Sequence, residues 1–325
     1  MERLTLTELD QQCETFDARV LRTPDADQFC SSSTWIIPAH HALMPPREPW
    51  LRTSSHGYVA LASGYDMRVG RYLQPLEASW GLASPLIGDD PWLLAQEFVV
   101  ECRRASDWDV LLLSGIVRES LLYQALVRGF GARHRMGLGM STRRYQASLD
   151  GGPDGFLGRR SSKFRANLRR SSRRAQEQGL TFMAVRDIPT SAQQEEVYDR
   201  ILTIETESWK GRDGVGITDG PMCAFYRRMI RRLGERGMFR ALFAQIDGHD
   251  VAYVFGGVLG STYRGLQVSF DHDFAHLSLG NLVQWQMIQR LCQEGVLWYD
   301  LGGELPYKAR WAENVLETTM LVVFA

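Results

Sequence analysis

The chain passes twice through the same alternation: short apolar runs of strand length, then longer amphipathic runs of helix length, with a glycine-rich break between the two rounds. That rhythm constrains the fold more than any single motif does, because such segments bury their apolar faces best as helices packed on a sheet. In the first round, residues 58–62 and 71–76 suit strands. Asp90 and Pro91 open a helix carrying Leu93, Leu94, Phe98 and Val99 at helical spacing. Residues 108–113 form a continuous apolar strand, and 119–128 form a helix ending at Gly131. The break, Asp150-Gly-Gly-Pro-Asp-Gly155, predicts a boundary that divides the chain into 1–150 and 151–325. In the second round, helices are expected over 161–178, 192–209, 222–236 and 281–293, and a short one over 306–311. Strands are expected over 180–185, 239–246, 251–259, 262–270, 296–301 and 318–324. Two halves of similar order suggest a duplicated α/β fold.

Composition removes several function classes. With 37 basic and 38 acidic residues the net charge is -1, so no global field draws the molecule onto DNA or an anionic membrane. The hydrophobic fraction of 44% is that of a folded globular protein. Five scattered cysteines without a Cys-x-x-Cys pair, no apolar leader and no spanning run give the expectation of a cytoplasmic protein with reduced thiols. There is no Gly-x-Ser-x-Gly elbow, no Walker-type loop and no Gly-x-Gly-x-x-Gly after a strand, which weakens hydrolase, NTPase and dinucleotide readings. His272 and His276 fall in an expected loop with no further ligand cluster, so no metal is expected.

Three segments carry candidate chemistry. Residues 159–174 hold eight basic side chains and no acid, a pattern that suits an anionic partner or a merely solvated helix face. Residues 267–282 leave a strand, cross a connection and open a helix at Gly280-Asn281 with Ser278 as a possible cap; free amides there can cradle a pyrophosphate. Residues 299–311 leave a strand through Gly302-Gly303 and deliver Glu304, Tyr307, Lys308 and Trp311 beyond its end, where ligands of α/β sheets bind. Only three of the 37 basic residues are lysine, Lys163, Lys210 and Lys308, and two of these segments contain one.

Five segments in order, Lys163-Phe-Arg-Ala-Asn-Leu-Arg-Arg170, Glu207-Ser-Trp-Lys210, Asp247-Gly248, Ser278-Leu-Gly280 and Asp300-Leu-Gly-Gly-Glu-Leu-Pro-Tyr-Lys308, resemble the CelD/BcsL-type acetyltransferases of the GNAT superfamily, relatives of the FemAB-type aminoacyl transferases. The resemblance covers about 155–325 and is diffuse before that. It implies two tandem GNAT-like halves, each a mixed, mostly antiparallel sheet flanked by helices, with an acyl thioester bound by the second. The first half would lack a cofactor site and shape the acceptor cleft between halves.

By the same resemblance, the thioester arm would lie along Leu266, Gln267, Val268 and Ser269, and its pyrophosphate on Ser278, Leu279, Gly280 and Asn281. Leu279 departs from the proline many relatives carry, and the full Gln/Arg-x-x-Gly-x-Gly/Ala loop is absent. Position puts Glu207 and then Asp271 forward as the base, Tyr307 as the acid for the departing thiolate, and Lys308 as a phosphate or carboxylate holder. Lys163, Arg165, Trp209, Lys210 and Glu304 are the candidate substrate contacts. The expected activity is N-acyl transfer to an amine of a peptide, amino sugar or metabolite. The donor would be acetyl-CoA, a longer acyl-CoA, or a thioester on an acidic acyl-carrier protein docking on the basic helix. A FemAB-like transferase using aminoacyl-tRNA and a non-catalytic binding module on the same fold are the alternatives.

Overall fold

The computed structural model describes residues 1–43, 47–105 and 107–325. The strands are β1 (Glu2–Leu4), β2 (Glu48–Ser54), β3 (Gly57–Asp66), β4 (Gly70–Pro75), β5 (Leu86–Ile87), β6 (Val110–Ile116), β7 (Arg135–Ser148), β8 (Thr181–Val185), β9 (Phe239–Ile246), β10 (His249–Leu259), β11 (Thr262–Phe270), β12 (Trp298–Gly303) and β13 (Asn314–Phe324). The chain divides into two compact units, Met1–Arg143 with Glu317–Ala325, and Arg144–Leu316.

Each unit builds the same sheet. The first runs β1-β2-β3-β4-β6-β13, with β5 on the flank of β3, and the second runs β8-β9-β10-β11-β12-β7. Along both orders, three antiparallel pairings are followed by one parallel pairing and a final antiparallel one. A parallel pair needs a crossover. Helix Pro91–Arg104 lies in the first crossover and helix Leu279–Gln293 in the second. Both helices are there because apolar residues recur on one face: Leu94, Ala95, Phe98, Val99 and Cys102 in one, Leu282, Val283, Met287, Ile288 and Leu291 in the other, all buried. The expected fold class, tandem GNAT-like halves with mixed, mostly antiparallel sheets, is the observed one.

The division of the chain differs in detail from the glycine-rich break. Strand β7 runs unbroken to Ser148, and its residues from Arg144 onward pair with β12, so the chain enters the second unit within a strand. The break at 150–155 instead turns the chain into the short helix Gly152–Gly158. The last residues do not stay in the second unit either: β13 returns to pair with β6, placing Leu321 and Val323 in the first core beside Leu111 and Leu113.

Two helical expectations also change. Residues 192–209 form not one helix but two, Ser191–Glu207 and Trp209–Arg212, because Ser208 is extended and its hydroxyl caps the second by accepting from Gly211 N. The expected loop at 271–278 contains a 3-10 helix, His272–Leu277. Among the described residues, no helix is long and apolar enough to cross a membrane.

The placement of β13 is testable. Leu321 is 2% exposed. Leu321→Ala is expected to destabilise the first unit by about 2–5 kcal/mol in urea unfolding. A loss below about 1 kcal/mol would show that the chain end contributes little to that core.

Candidate functional site

The site begins where two parallel strands part. Strand β11 pairs with β12 through Thr262 with Trp298, Tyr263 with Tyr299 and Arg264 with Asp300, and the pairing stops there, although β11 continues to Phe270 and β12 to Gly303. At the same level the register between β10 and β11 shifts between Phe255 and Gly256, leaving Leu266 as an extra residue, a bulge. Gly256 is required by this geometry, since a Cβ there would stand 2.0 Å from the carbonyl oxygen of Arg264. The last rung is locked by charge. Asp300, 1% exposed, accepts from the Arg264 guanidinium at 3.1 Å and from Gly302 N at 2.8 Å, and it also pairs with Arg144.

From this fork opens a cavity of about 480 Å³. Its walls are Gly265, Leu266, Gln267, Val268 and Phe270 of β11, Gly280, Asn281 and Gln284 of the crossover helix, Trp209 and Lys210, and the segment after β12 with Leu305, Tyr307, Lys308 and Arg310. Gly280, Asn281 and Gln284 share a helix face by their spacing. Ser278 stands at the helix start in the left-handed region, with φ of 60°, and its side chain makes no cap, contrary to the sequence expectation. Its carbonyl instead accepts from Asn281 N and Leu282 N, so the amides of Leu279 and Gly280 lie ahead of the first intrahelical bonds. Gln284 is 4% exposed, and its Nε2 has no hydrogen-bond partner. A buried donor without an acceptor is costly, so a ligand acceptor at this wall would be stabilising.

Lys210 is held on the opposite wall. Its Nζ lies 2.9 Å from Glu205 Oε1 and donates to Gln267 Oε1 at 3.1 Å and to the Val268 carbonyl at 3.3 Å. Glu205 is fully buried and also accepts from Tyr253 Oη at 2.8 Å, while Gln267 donates to Tyr226 Oη at 2.8 Å. Burial and the carboxylate beside it push the Tyr253 hydroxyl well above its ordinary range, so it stays a donor. Five residues apart on an unbroken helix, Glu205 and Lys210 would not face each other; the break at Ser208 brings them together.

Lys308 lies on the cavity wall and donates to the Gly303 carbonyl at 2.8 Å. Burial, and next the Arg264 guanidinium, lower its pKa to about 8 against the opposing pull of Asp300. Burial raises the Tyr307 hydroxyl.

The remaining sequence candidates are placed as follows. Glu207 is exposed and does not line the cavity. Asp271 lies outside the lining too, with one carboxylate oxygen accepting from Asp273 N to cap the 3-10 helix. Leu279 is wholly buried and does not line the cavity, and Ser269 is likewise buried off the lining. Glu304 is exposed and accepts from Tyr145 Oη at 3.1 Å. Lys163 lines a neighbouring cavity, while Arg165 donates to the Leu157 and Arg160 carbonyls at the end of a short helix. Glu205, Gln284 and Arg310 were not singled out from sequence. The signal for Glu205 is present, because Ile201, Ile204, Glu205 and Ser208 lie at i, i+3, i+4 and i+7, all buried, whereas Glu207 falls off that stripe. Among the described residues, no group of three or more His, Cys, Asp or Glu side chains is placed to hold a metal ion.

Residues 162–309 match the family described as acetyltransferase (GNAT) domain. The fold is similar to that of FemX, with a TM-score of 0.67 at 12% identity over 98% of this chain and 97% of that one. It is equally similar to a conserved protein of unknown function from Bacteroides thetaiotaomicron, with a TM-score of 0.66 at 12% identity over 100% and 99% of the two chains. For L-PGS from Bacillus licheniformis the TM-score is 0.57 at 14% identity, over 96% and 90%. At such identities the likeness is one of fold. No curated protein sequence matches significantly.

The two acids of the Glu205-Thr-Glu207 segment should separate cleanly by mutation. Glu205→Ala leaves Lys210 buried without its carboxylate and is expected to cost about 3–5 kcal/mol, whereas Glu207→Ala is expected within about 0.5 kcal/mol of wild type. Equal effects on the urea midpoint would overturn this assignment of the buried acid.

Proposed function

We propose that the chain, whose residues 162–309 match the acetyltransferase (GNAT) domain family, is an acyltransferase that moves an acyl group from a thioester held in the β11–β12 fork to a primary amine. The observation that carries this reading is the fork itself. A strand edge that β12 stops pairing after Arg264 runs, within one cavity, to a helix start whose first amides are uncapped. The amides of a pantetheine arm can bond to such an edge as an added strand would. A pyrophosphate suits the amide of Gly280 at that helix start, and the unpartnered Gln284 Nε2 supplies a further donor.

In the reaction the amine nitrogen attacks the thioester carbonyl, the C–N bond forms and the C–S bond breaks. A backbone N–H of β11 near Val268 faces the oxyanion as it develops. None of the described residues lining the cavity is a carboxylate, which leaves Glu207 and Asp271 a route only through water. Lys308, with its pKa at about 8, takes the amine's proton when neutral. Tyr307, 38% exposed and with its hydroxyl raised by partial loss of solvent, gives its proton to the departing thiolate and regains one from the Lys308 ammonium. The apolar wall of Val254, Leu266, Phe270, Leu301 and Leu305 accepts an acetyl or a longer acyl group. The acceptor is an amine of a peptide, amino sugar or metabolite.

The crossover helix of the first unit opens differently. There Asp90 accepts from Trp92 N and Leu93 N, so a carboxylate of the chain occupies the place where a phosphate would lie and would repel one. A second reading, a macromolecular donor such as an acidic acyl-carrier protein or an aminoacyl-tRNA, is favoured by Arg169 and Arg173, exposed cations with no carboxylate partner among the described residues.

Acetyl-CoA, a long-chain acyl-CoA and an acyl-carrier protein titrated into the folded chain separate these readings; saturable binding of a coenzyme A thioester is the expected result. At saturating acceptor, kcat should rise with pH through about 8 as Lys308 loses its proton. Lys308→Arg should remove that limb and lower kcat by about 10²–10⁴. An unchanged limb in this variant would place the base elsewhere, while Glu207→Gln and Asp271→Asn should each stay within about threefold, under ~1 kcal/mol.

A further inference from the structure

The mouth of the larger cavity carries a charge with no task in the acyl transfer itself. Arg310 lines it, is exposed, and has no carboxylate partner among the described residues. We infer that the acceptor is a free amino acid with a large apolar side chain, whose carboxylate is bound by Arg310 while its amine meets the thioester. The inference deepens the acyl-transfer reading and rests on it.

The first observation is the sign of the wall. Lys210, Lys308 and Arg310 line the cavity, and among the described residues no carboxylate does. The acids around it are committed elsewhere. Glu205 holds Lys210, Asp300 holds Arg264 and Arg144, and Asp273 holds Arg212. Glu304 accepts from Tyr145, and Asp271 caps the 3-10 helix. An aliphatic amine is mostly an ammonium near neutral pH, and no lining group among the described residues compensates that charge. A diamine or an amino sugar therefore enters against repulsion. An amino acid brings its own carboxylate, so it enters neutral overall and offers an anionic end to be bound.

The second observation is which cation stands free. Lys210 spends its three donors on Glu205, Gln267 and the Val268 carbonyl, and Lys308 donates to the Gly303 carbonyl. Arg310 makes no such contact among the described residues. Its planar, permanently charged fork binds a carboxylate through two parallel hydrogen bonds. Both Lys308 and Arg310 belong to one short 3-10 turn and line one cavity, so the amine can face the first while the carboxylate faces the second.

The third observation is the apolar rim. Trp209 and Leu305 are each 48% exposed and Tyr307 is 38% exposed, all three on the lining of this cavity. Large apolar groups left in water around a cavity mouth mark a surface that a ligand covers. The acyl chain has the buried wall of Val254 and Leu301, which leaves the exposed trio for the side chain of the acceptor. As the C–N bond forms and the C–S bond breaks, one proton passes from the amine to Lys308 and the thiolate takes one from Tyr307. The products are an N-acyl amino acid and a free thiol.

Matched acceptors read this directly in steady-state assays of the full chain, with acetyl-CoA and with a long-chain acyl-CoA, rates being expressed per unprotonated amine. The pairs are leucine with 3-methylbutylamine and phenylalanine with phenethylamine; glycine and glucosamine complete the set. Each amino acid is expected to exceed its decarboxylated partner in kcat/KM by about 10²-fold, the worth of a hydrogen-bonded charge. Leucine should exceed glycine by about tenfold. In Arg310→Gln the KM for leucine should rise about 10²-fold and its advantage over 3-methylbutylamine should shrink to about threefold, with the KM for the thioester moved by less than about threefold. Arg310 also borders a neighbouring cavity with Lys163 and Arg170, so a rise confined to the thioester KM would place it on the donor and overturn the inference. Equal rates for phenylalanine and phenethylamine, or a preference for glucosamine, would overturn it while leaving acyl transfer to amines intact. A folded chain that binds a thioester but acylates none of these amines would overturn the acceptor assignment alone, and one that binds no thioester would overturn both readings.

Discussion

The buried ion pair between Arg264 and Asp300 fixes the point from which the whole second unit is organised. It lies on the last rung of the parallel pairing of β11 with β12, and both side chains are almost completely buried. Burying two charges carries a desolvation cost that their attraction only partly offsets. What the pair contributes here is geometry. Asp300 also ties Arg144 of the neighbouring strand and the amide of Gly302, so β11, β12 and β7 are held together by one carboxylate. Past that point β11 bulges at Leu266 and β12 turns away through glycines. The cavity exists because the strands cannot keep pairing beyond it.

The same cluster sets the chemistry of the nearest titratable group. Lys308 comes back over the fork after β12, loses solvation, and feels the Arg264 guanidinium more than the opposing pull of Asp300. Lys210, half-buried on the same cavity, is spent on holding structure. Glu205, Gln267 and the Val268 carbonyl use all its donors, so it steadies the free edge of β11. Two lysines on one cavity wall therefore do different work, and the difference lies in what surrounds each nitrogen.

The duplication is equally a matter of topology. Both units build three antiparallel pairings, a parallel step over a crossover helix, and a closing antiparallel strand. The closing strand of the first unit comes from the end of the chain, and that of the second from the segment leaving the first. Such an exchange is invisible to local pattern. Strand β7 lies outside the sequence expectation: Met136, Leu138 and Met140 do alternate, but with glycines between them and arginines after them, residues that weaken a strand pattern. The helices of the first forty residues were likewise passed over, although Thr5 and Glu8 form a reciprocal capping box.

What the sequence by itself determined is whatever depends on neighbours in the chain. It set the alternation of strands and helices, the apolar face of each crossover helix, and the glycines that let a strand end turn. It also brought Leu266 to Val268, Gly280 and Lys308 into consideration, since each sits at the end of a recognisable element. Only the tertiary structure decided which acid is buried, because the break at Ser208 folds Lys210 back onto Glu205 and leaves Glu207 in solvent. Only it decided that Ser278 does not cap its helix, that Gln284 and Trp311 keep donors without acceptors, and that much of the basic segment is spent on internal contacts. The physical reason is one of range. Hydrogen-bonded periodicity and turn geometry are fixed within a few residues, whereas desolvation and charge pairing depend on groups that only the folded chain brings within a few ångströms.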